Sequence, residues 1–408
     1  MKRIFRAFSA ALAALSLFAM GFCAYSAQTT PDEITICKNG GYSFGDNSAY
    51  TLCFTESTGA YGTSDRLNTK AEIKLFGLLP VKSVDVHLSD RQTVTLGGKP
   101  FGIRLYTDGL VVAKTSSVPV EGGSSDPSSK AGIRCGDIIL EANGEALKTN
   151  EQLTQICEKS GGSPILLRCR RNGDYFSTTI IPEMDVQLGS YRLGLWVRDS
   201  CAGIGTITFT DENTKTFAGL GHGIYDGDSG SLMPLADGDI VPADIISADK
   251  SIGGSPGSLC GCFTSGEPLG RLRANSECGL YGTYSDISPG KEIEIAFRQE
   301  VTKGSASMLS TIEGSEPECY DVEIEDISYD NSTPSKNMVI RITDKRLIEK
   351  TGGIVRGMSG SPIIQNGRLV GALTHVYIDD PVHGYAVFAE NMADYNNKIV
   401  QKQAAITQ

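Results

Sequence analysis

The heptad Arg356-Gly357-Met358-Ser359-Gly360-Ser361-Pro362 carries the residue types that an acyl-transfer nucleophile needs. Small residues on both sides of Ser359 permit a tight turn with the hydroxyl exposed. Main-chain N–H groups can converge beside it, and those of Gly357 and Ser359 are the candidates for an oxyanion hole. A plain turn into the apolar segment 363–365 is the competing reading of the same residues. A second serine turn, Gly227-Asp228-Ser229-Gly230-Ser231, is a rival that we set aside as a decoy. It follows His222 too closely for base and nucleophile to come from different halves of a fold, and no proline follows it at the matching place.

A serine nucleophile needs a base, and the chain has four histidines: 87, 222, 375 and 383. His222 is flanked by Gly221 and Gly223 at the end of an apolar run, which gives its ring the steric access a general base requires. His87 reads as a surface strand residue and His375 as a core or hydrogen-bonded structural histidine. His383 falls in a loop after Asp379-Asp380-Pro381. His222 is therefore the favoured base. The third member should be a carboxylate that holds the imidazole in its productive tautomer. Asp344 closes the strand-like run 338–343 upstream of Ser359, and serves equally well on local grounds as the N-cap of a helix over 345–350. Asp379 and Asp380 remain alternatives. Cys260-Gly261-Cys262 is the one close cysteine pair, with no histidine nearby, so no metal site and no cofactor is expected.

Behind these residues stands a chain of 408 residues with 40% hydrophobic and 21% charged side chains, long enough for two or three domains. Its net charge is 37 − 48 = −11, which disfavours a nucleic-acid partner. Forty-seven glycines against a single tryptophan indicate a turn-rich, mostly β protein. Lys2, Arg3 and Arg6 precede an apolar run from Ala7 to Ala24, with small residues at its end. That is the layout of an export signal, or of an uncleaved anchor (residues 1–27), and either puts the rest outside the cytoplasm. Ten cysteines remain beyond this segment, an even number that permits disulfides or buried thiols.

Residues 28–84 read as a polar stalk with a lead-in strand. A module over 85–183 follows: a strand near 109–113, another at 138–142 turning at Asn143-Gly144, and a helix capped by Thr149 and Gln152. A hairpin then turns at Asn172-Gly173. The run Ser129-Lys-Ala-Gly-Ile-Arg-Cys-Gly-Asp-Ile-Ile139 resembles that of PDZ domains. The resemblance implies a peptide-binding loop at Phe101-Gly102-Ile103, where exposed N–H groups and a sheet edge would capture an extended peptide. Residues 184–408 show many short strands and few helical periods, as in a barrel or sandwich, with a helix from about Asn391.

The Ser359 turn resembles that of chymotrypsin-like peptidases. With Gly194-Leu-Trp-Val-Arg-Asp-Ser200, Gly203-Ile-Gly-Thr206 and Gly221-His-Gly-Ile224, the assembly resembles the stage IV sporulation protein B (SpoIVB) peptidases from about Leu75 to the C-terminus. The resemblance implies a serine endopeptidase with a PDZ domain, exported across the forespore membrane into the space facing the mother cell. There it would cleave a membrane-bound regulator of an intramembrane protease and trim itself within 28–70. It implies His222, Asp344 and Ser359 as the triad, and a chymotrypsin-like barrel preceded by the PDZ-like domain. Tyr225-Asp-Gly-Asp-Ser-Gly230 departs from the family pattern, as does the number of cysteines. A non-catalytic adaptor with a degenerate barrel is the alternative.

Overall fold

A computed structural model describes residues 2–38, 44, 49–54, 69–264, 266–285, 290–330 and 332–407. The N-terminal helix Lys2–Gln28 contains a segment, Ala11–Gln28, long and apolar enough to cross a membrane, with mean hydropathy 1.4. The segment expected to be a stalk instead contributes a four-stranded sheet. Glu33–Cys37 runs parallel to Leu79–Ser89, which pairs with Thr69–Leu75, and that strand pairs with Tyr50–Phe54. Ile34, Leu52, Ile73, Val84 and Val86 bury one face of it, at the two-residue alternation of a half-covered sheet. Residues 39–43, 45–48 and 55–68 of the expected stalk lie outside the described residues.

Two six-stranded barrels follow. In the first, successive pairings close a ring through Pro100–Thr115, Leu235–Asp249, Gly270–Ser276, Gly279–Tyr284, Thr216–Gly219 and Leu195–Asp211. Phe101, Leu105, Phe217, Ile240 and Leu280 fill it. The second is a closed barrel of Gly304–Ser310, Glu318–Ile327, Met338–Ile342, His383–Phe388, Arg368–Val376 and Pro362–Gln365. The helix Ala389–Thr407 seals the seam between them. Its Met392 and Ala393 are buried with Phe209 and Tyr281 of the first barrel and Leu369 and Val387 of the second.

The PDZ-like module is carried by two strands of the first barrel that run on beyond it. Pro100–Thr115 pairs with Leu235–Asp249 through its first half and with Ile138–Ala142 through its second. Gly109, at φ +88, sits at the junction, where a Cβ would lie 2.7 Å from the Ile139 carbonyl oxygen. On the partner strand Leu195–Asp211 the register shifts between Arg198 and Ser200, at the same level. That strand is half-exposed in alternation up to residue 204 and fully buried from Gly205 to Asp211, as expected where it passes from a module edge into a barrel wall. The module's own elements match the sequence reading: Thr149 and Gln152 form a capping box on Asn150–Lys159, and Asn143-Gly144 and Asn172-Gly173 turn with positive φ at both residues.

The division at residues 85 and 184 is therefore displaced. Residues 93–107 belong to the first barrel's sheet, and the PDZ-like module is an insertion in that barrel spanning about 108–198. Phe101, Gly102 and Ile103 correct a second expectation. Gly102 pairs with Ile204 on one side and Val241 on the other, and Phe101 is fully buried. A strand bonded along both edges has no N–H row left for a peptide, so these residues are barrel core and not a binding loop.

Candidate active site

The Ser359 turn leads from the second barrel's core into the strand Pro362–Gln365. Met358 is fully buried in that core and anchors it. Gly357 and Gly360 adopt φ +99 and +96; at Gly360 a Cβ would come within 2.0 Å of the Thr206 carbonyl oxygen, so only glycine fits. The buried stretch of Leu195–Asp211 stitches the turn from outside. Thr206 N–H donates to Ser359 O at 2.9 Å, Thr206 Oγ1 to Gly357 O at 3.1 Å, and Thr208 Oγ1 to Gly360 O at 2.8 Å. With these carbonyls held, the amides of Gly357 and Ser359 donate to no partner among the described residues. The half-buried Ser359 hydroxyl donates to Thr374 O at 2.7 Å.

His222 arrives from the first barrel. Leu220 and Gly221, at φ +64 and +69, turn the chain out of the strand Thr216–Gly219. A Cβ on Gly221 would lie 2.9 Å from Thr374 Cγ2, so the glycine lets the backbone pass close over the second barrel. This brings His222 against His375, with ring centroids 4.7 Å apart and planes tilted by 36°. Nδ1 of His222 pairs with Gly223 O at 2.7 Å. Since a carbonyl only accepts, that nitrogen carries the proton and Nε2 keeps its lone pair. Burial pushes the His222 pKa below its ordinary value, opposed by the Gly223 carbonyl, so the ring is a neutral base at physiological pH. Burial pushes His375 down to about 4, with Lys336 and, when protonated, His222 acting in the same direction.

No hydrogen bond joins Asp344, the expected third member, to His222 among the described residues. The Asp344 carboxylate accepts the Arg346 guanidinium, the Arg346 N–H and the Asp321 N–H and caps the helix Lys345–Thr351. The Arg346 hydrogen bonds hold its pKa down at about 2, against a desolvation that works upward. Thr374 Oγ1 donates to Tyr385 O, and Tyr385 pairs with Val339. Of the alternatives, Asp380 accepts from His383 Nδ1 at 2.7 Å, and no hydrogen bond joins Asp379 to His222. His87 lies in the N-terminal sheet opposite Thr35.

Ser229 belongs to a structural loop. Its N–H donates to Asp226 Oδ1 at 2.8 Å, and its Oγ accepts from Ser231 N–H. Arg198 pairs with the buried Asp226 at 2.6 Å. The loop is thereby clipped to the strand that enters the PDZ-like module.

The module carries a cavity away from Phe101-Gly102-Ile103. Leu153 and Cys157 of the helix Asn150–Lys159 face Tyr191, Leu193, Leu195 and Val197 across a cavity of about 290 Å³. The segment Leu195–Val197 pairs along one edge only, with residues 112–115. Leu193-Gly194-Leu195, with Gly194 at φ +65, is the apolar-glycine-apolar turn at its mouth.

The sequence model of the SpoIVB peptidase S55 family matches residues 189–393. The chain belongs to this family. It is a serine peptidase, like the others the family's name describes. Among solved structures it is similar to the PDZ domain of the SdrC-like protein from Listeria monocytogenes, at 18% identity over 22% of this chain and 87% of that one, with TM-score 0.19. It is also similar to the Rv3671c protease from M. tuberculosis. The active form aligns at 14% identity over 49% of this chain and 74% of that one, TM-score 0.28. The inactive form aligns at 15% over 48% and 84%, TM-score 0.27. For a SpoIVB peptidase the Ser359 turn offers a hydroxyl and two amides without a partner among the described residues, with an imidazole on the adjoining barrel, the residue types acyl transfer requires.

Proposed function

We propose that Ser359 is the nucleophile of this peptidase and His222 its general base, with the Gly357 and Ser359 amides receiving the oxyanion. The observation that carries this reading is the meeting of the two turns. His222 from the first barrel stacks on the residue after Thr374, whose carbonyl holds the Ser359 hydroxyl. In the reaction Ser359 Oγ swings from Thr374 O to the lone pair on His222 Nε2. Oγ bonds to the scissile carbonyl carbon as its proton passes to Nε2, and the carbonyl π electrons move to oxygen. The amide C–N bond then breaks with return of that proton to the leaving nitrogen, and water repeats the sequence to release the acyl group. The test is a fluorophosphonate probe on the full chain. S359A and H222A should lose labelling while S229A keeps it; labelling that survives in S359A overturns the reading.

The family suggests the physiological setting: an exported or membrane-anchored enzyme of the forespore membrane that cleaves a membrane-bound regulator during endospore formation. The apolar N-terminal helix supports export or anchoring. The groove between Asn150–Lys159 and Leu195–Val197 is the surface for a peptide segment, from the enzyme's own N-terminal region or a partner. Self-cleavage between 28 and 70 would fall largely outside the described residues. Sporulation arrest by S359A, with processing of the regulator blocked, is the expected cellular outcome; normal processing in that strain would remove this role.

A further inference from the structure

We propose that the hairpin tip at residues 75–80 is a second membrane contact: an apolar wedge that enters the near leaflet of a bilayer beside the N-terminal helix. The inference rests on that helix being the export or anchoring segment, and is independent of the catalytic residues. Six consecutive residues, Leu75-Phe76-Gly77-Leu78-Leu79-Pro80, carry no polar side chain. They join the strands Thr69–Leu75 and Leu79–Ser89. Leu75 is buried, but Phe76 is 70% exposed, Leu78 81% and Leu79 43%. The turn that presents them is fixed by its backbone. Phe76 N–H donates to Ala49 O at 2.6 Å, and Leu78 N–H to Leu75 O at 3.1 Å. Phe76 sits at φ +50, a region that bulky residues avoid, and a Cβ on Gly77 would meet nothing within 4 Å. A turn that only reverses the chain is built from asparagine, aspartate and glycine among polar neighbours. This one spends a strained phenylalanine and two leucines on solvent.

The topology says what covers the tip. The helix segment Ala11–Gln28 is apolar enough to cross a membrane, and only 6% of it is buried against the rest of the chain. Lys82 marks where its end meets the sheet: Nζ donates to Ala27 O and Thr30 O, each at 3.2 Å. Leu79 is three residues from Lys82, roughly 10 Å at the rise of a strand. From Glu33, opposite Asp85, the strand Glu33–Cys37 runs parallel to Leu79–Ser89 and away from the tip. Helix end and hairpin tip therefore share one end of the sheet, and the other end leads through residues 90–92 towards the first barrel. A bilayer crossed by the helix thus has the three apolar side chains within reach of its interface. Charge selects the kind of lipid. Lys74 pairs with Glu72 at 3.3 Å and Lys82 with Asp32 at 2.7 Å, so the collar below the tip has little charge to attract anionic headgroups. The chain as a whole, at −11, is repelled by them. Apolar burial drives the insertion, and a zwitterionic bilayer suffices. With the helix as the other attachment, two points fix how the sheet stands on the membrane.

The chain's single tryptophan, Trp196, lies on the PDZ-like module and makes a spectroscopic test direct. The full chain carrying W196F and L78W is reconstituted in phosphatidylcholine vesicles and floated on a density gradient. Its emission is then compared in plain and acyl-brominated lipid. Leu78 is exposed enough to accept the larger ring, and W196F with F76W is the second reporter should L78W melt earlier than W196F alone. Bromines near the headgroup should quench the L78W chain at least about twofold, and more than bromines near the chain ends, while Trp196 of the parent stays unquenched. Adding L78D to the F76W reporter should abolish quenching with melting and flotation unchanged, because a carboxylate holds the tip in water. Phosphatidylserine in the vesicles should add nothing. Flotation without quenching of either reporter overturns the wedge, as does quenching confined to phosphatidylserine vesicles or surviving L78D. A blue shift that grows with protein concentration, without quenching by lipid, assigns the tip to a protein contact and overturns it equally. Failure of the chain to float removes the anchor reading itself and the hairpin contact with it, whereas flotation without quenching removes only the hairpin.

Discussion

The Ser359 hydroxyl donates to Thr374 O and not to His222, so under the proposed mechanism attack begins with a side-chain rotation that exchanges a carbonyl acceptor for an imidazole. S359A deletes the attacking atom, and activity should fall by a factor of about 10³ or more, with S229A near parental levels. Asp344 supplies a sharper contrast. A residue that orients the base costs about 10⁴ in turnover when changed, whereas loss of an N-cap costs about 1 kcal/mol of stability. D344A should therefore melt earlier but label at close to the parental rate below its transition. The pH dependence follows from the depressed carboxyl. Folding lowers the Asp344 pKa to about 2, so its contribution is complete above the unfolded carboxyl value of about 4 and fades as pH falls towards 2. Urea titrations should show parent and D344A furthest apart at neutral pH and converging in that acid window. The two roles of Asp344 share one local signature, a strand-end aspartate before a helix. Sequence spacing does not say which end of the barrel that strand presents to the serine.

Elements were legible to the extent that a short-range requirement wrote them. Asn143-Gly144, Asn172-Gly173 and Asn366-Gly367 all turn with positive φ at both residues, which asparagine and glycine tolerate and most residues do not. The Thr149–Gln152 capping box is equally local. What could not be read was a strand whose two halves serve different modules. The apolar run 100–115 is continuous in sequence, and nothing in its alternation marks Gly109 as a frontier. The loop after His222 was also opaque. Its Gly-Asp-Ser-Gly pattern mimics a nucleophile turn, but its purpose is the clip between Asp226 and Arg198. R198A should leave Asp226 buried and unpaired, at a cost of about 1–3 kcal/mol. D226N in the R198A background should recover part of that loss, a coupling readable in a double-mutant cycle of melting curves. Equal stability of R198A and the parent would deny the clip any structural weight.

At the scale of the whole molecule, the PDZ-like module is inserted within a barrel strand pair, and this determines how it can be removed. Leu195–Asp211 has one end lining the groove at Leu195 and Val197 and holds the Ser359 turn through Thr206 at the other. A cut within the sequence-derived module, deleting residues 96–182, would take out Phe101, Ile103 and Leu105, which are fully buried or nearly so in the first barrel. It would also remove the strand bonded to both Leu235–Asp249 and Leu195–Asp211. That variant should not fold. Tyr106 and Ser200, by contrast, are direct antiparallel partners, so a two-residue turn can join them. Replacing Thr107–Asp199 with Asn-Gly, a pair that favours the hairpin geometry, should keep both barrels closed. The shortened chain forfeits the Arg198 clip and should melt earlier, yet retain cooperative unfolding and fluorophosphonate labelling at Ser359. The 96–182 deletion should show neither. If the short hairpin variant is equally unfolded, the first barrel depends on the inserted module for its closure, and the two form a single cooperative unit.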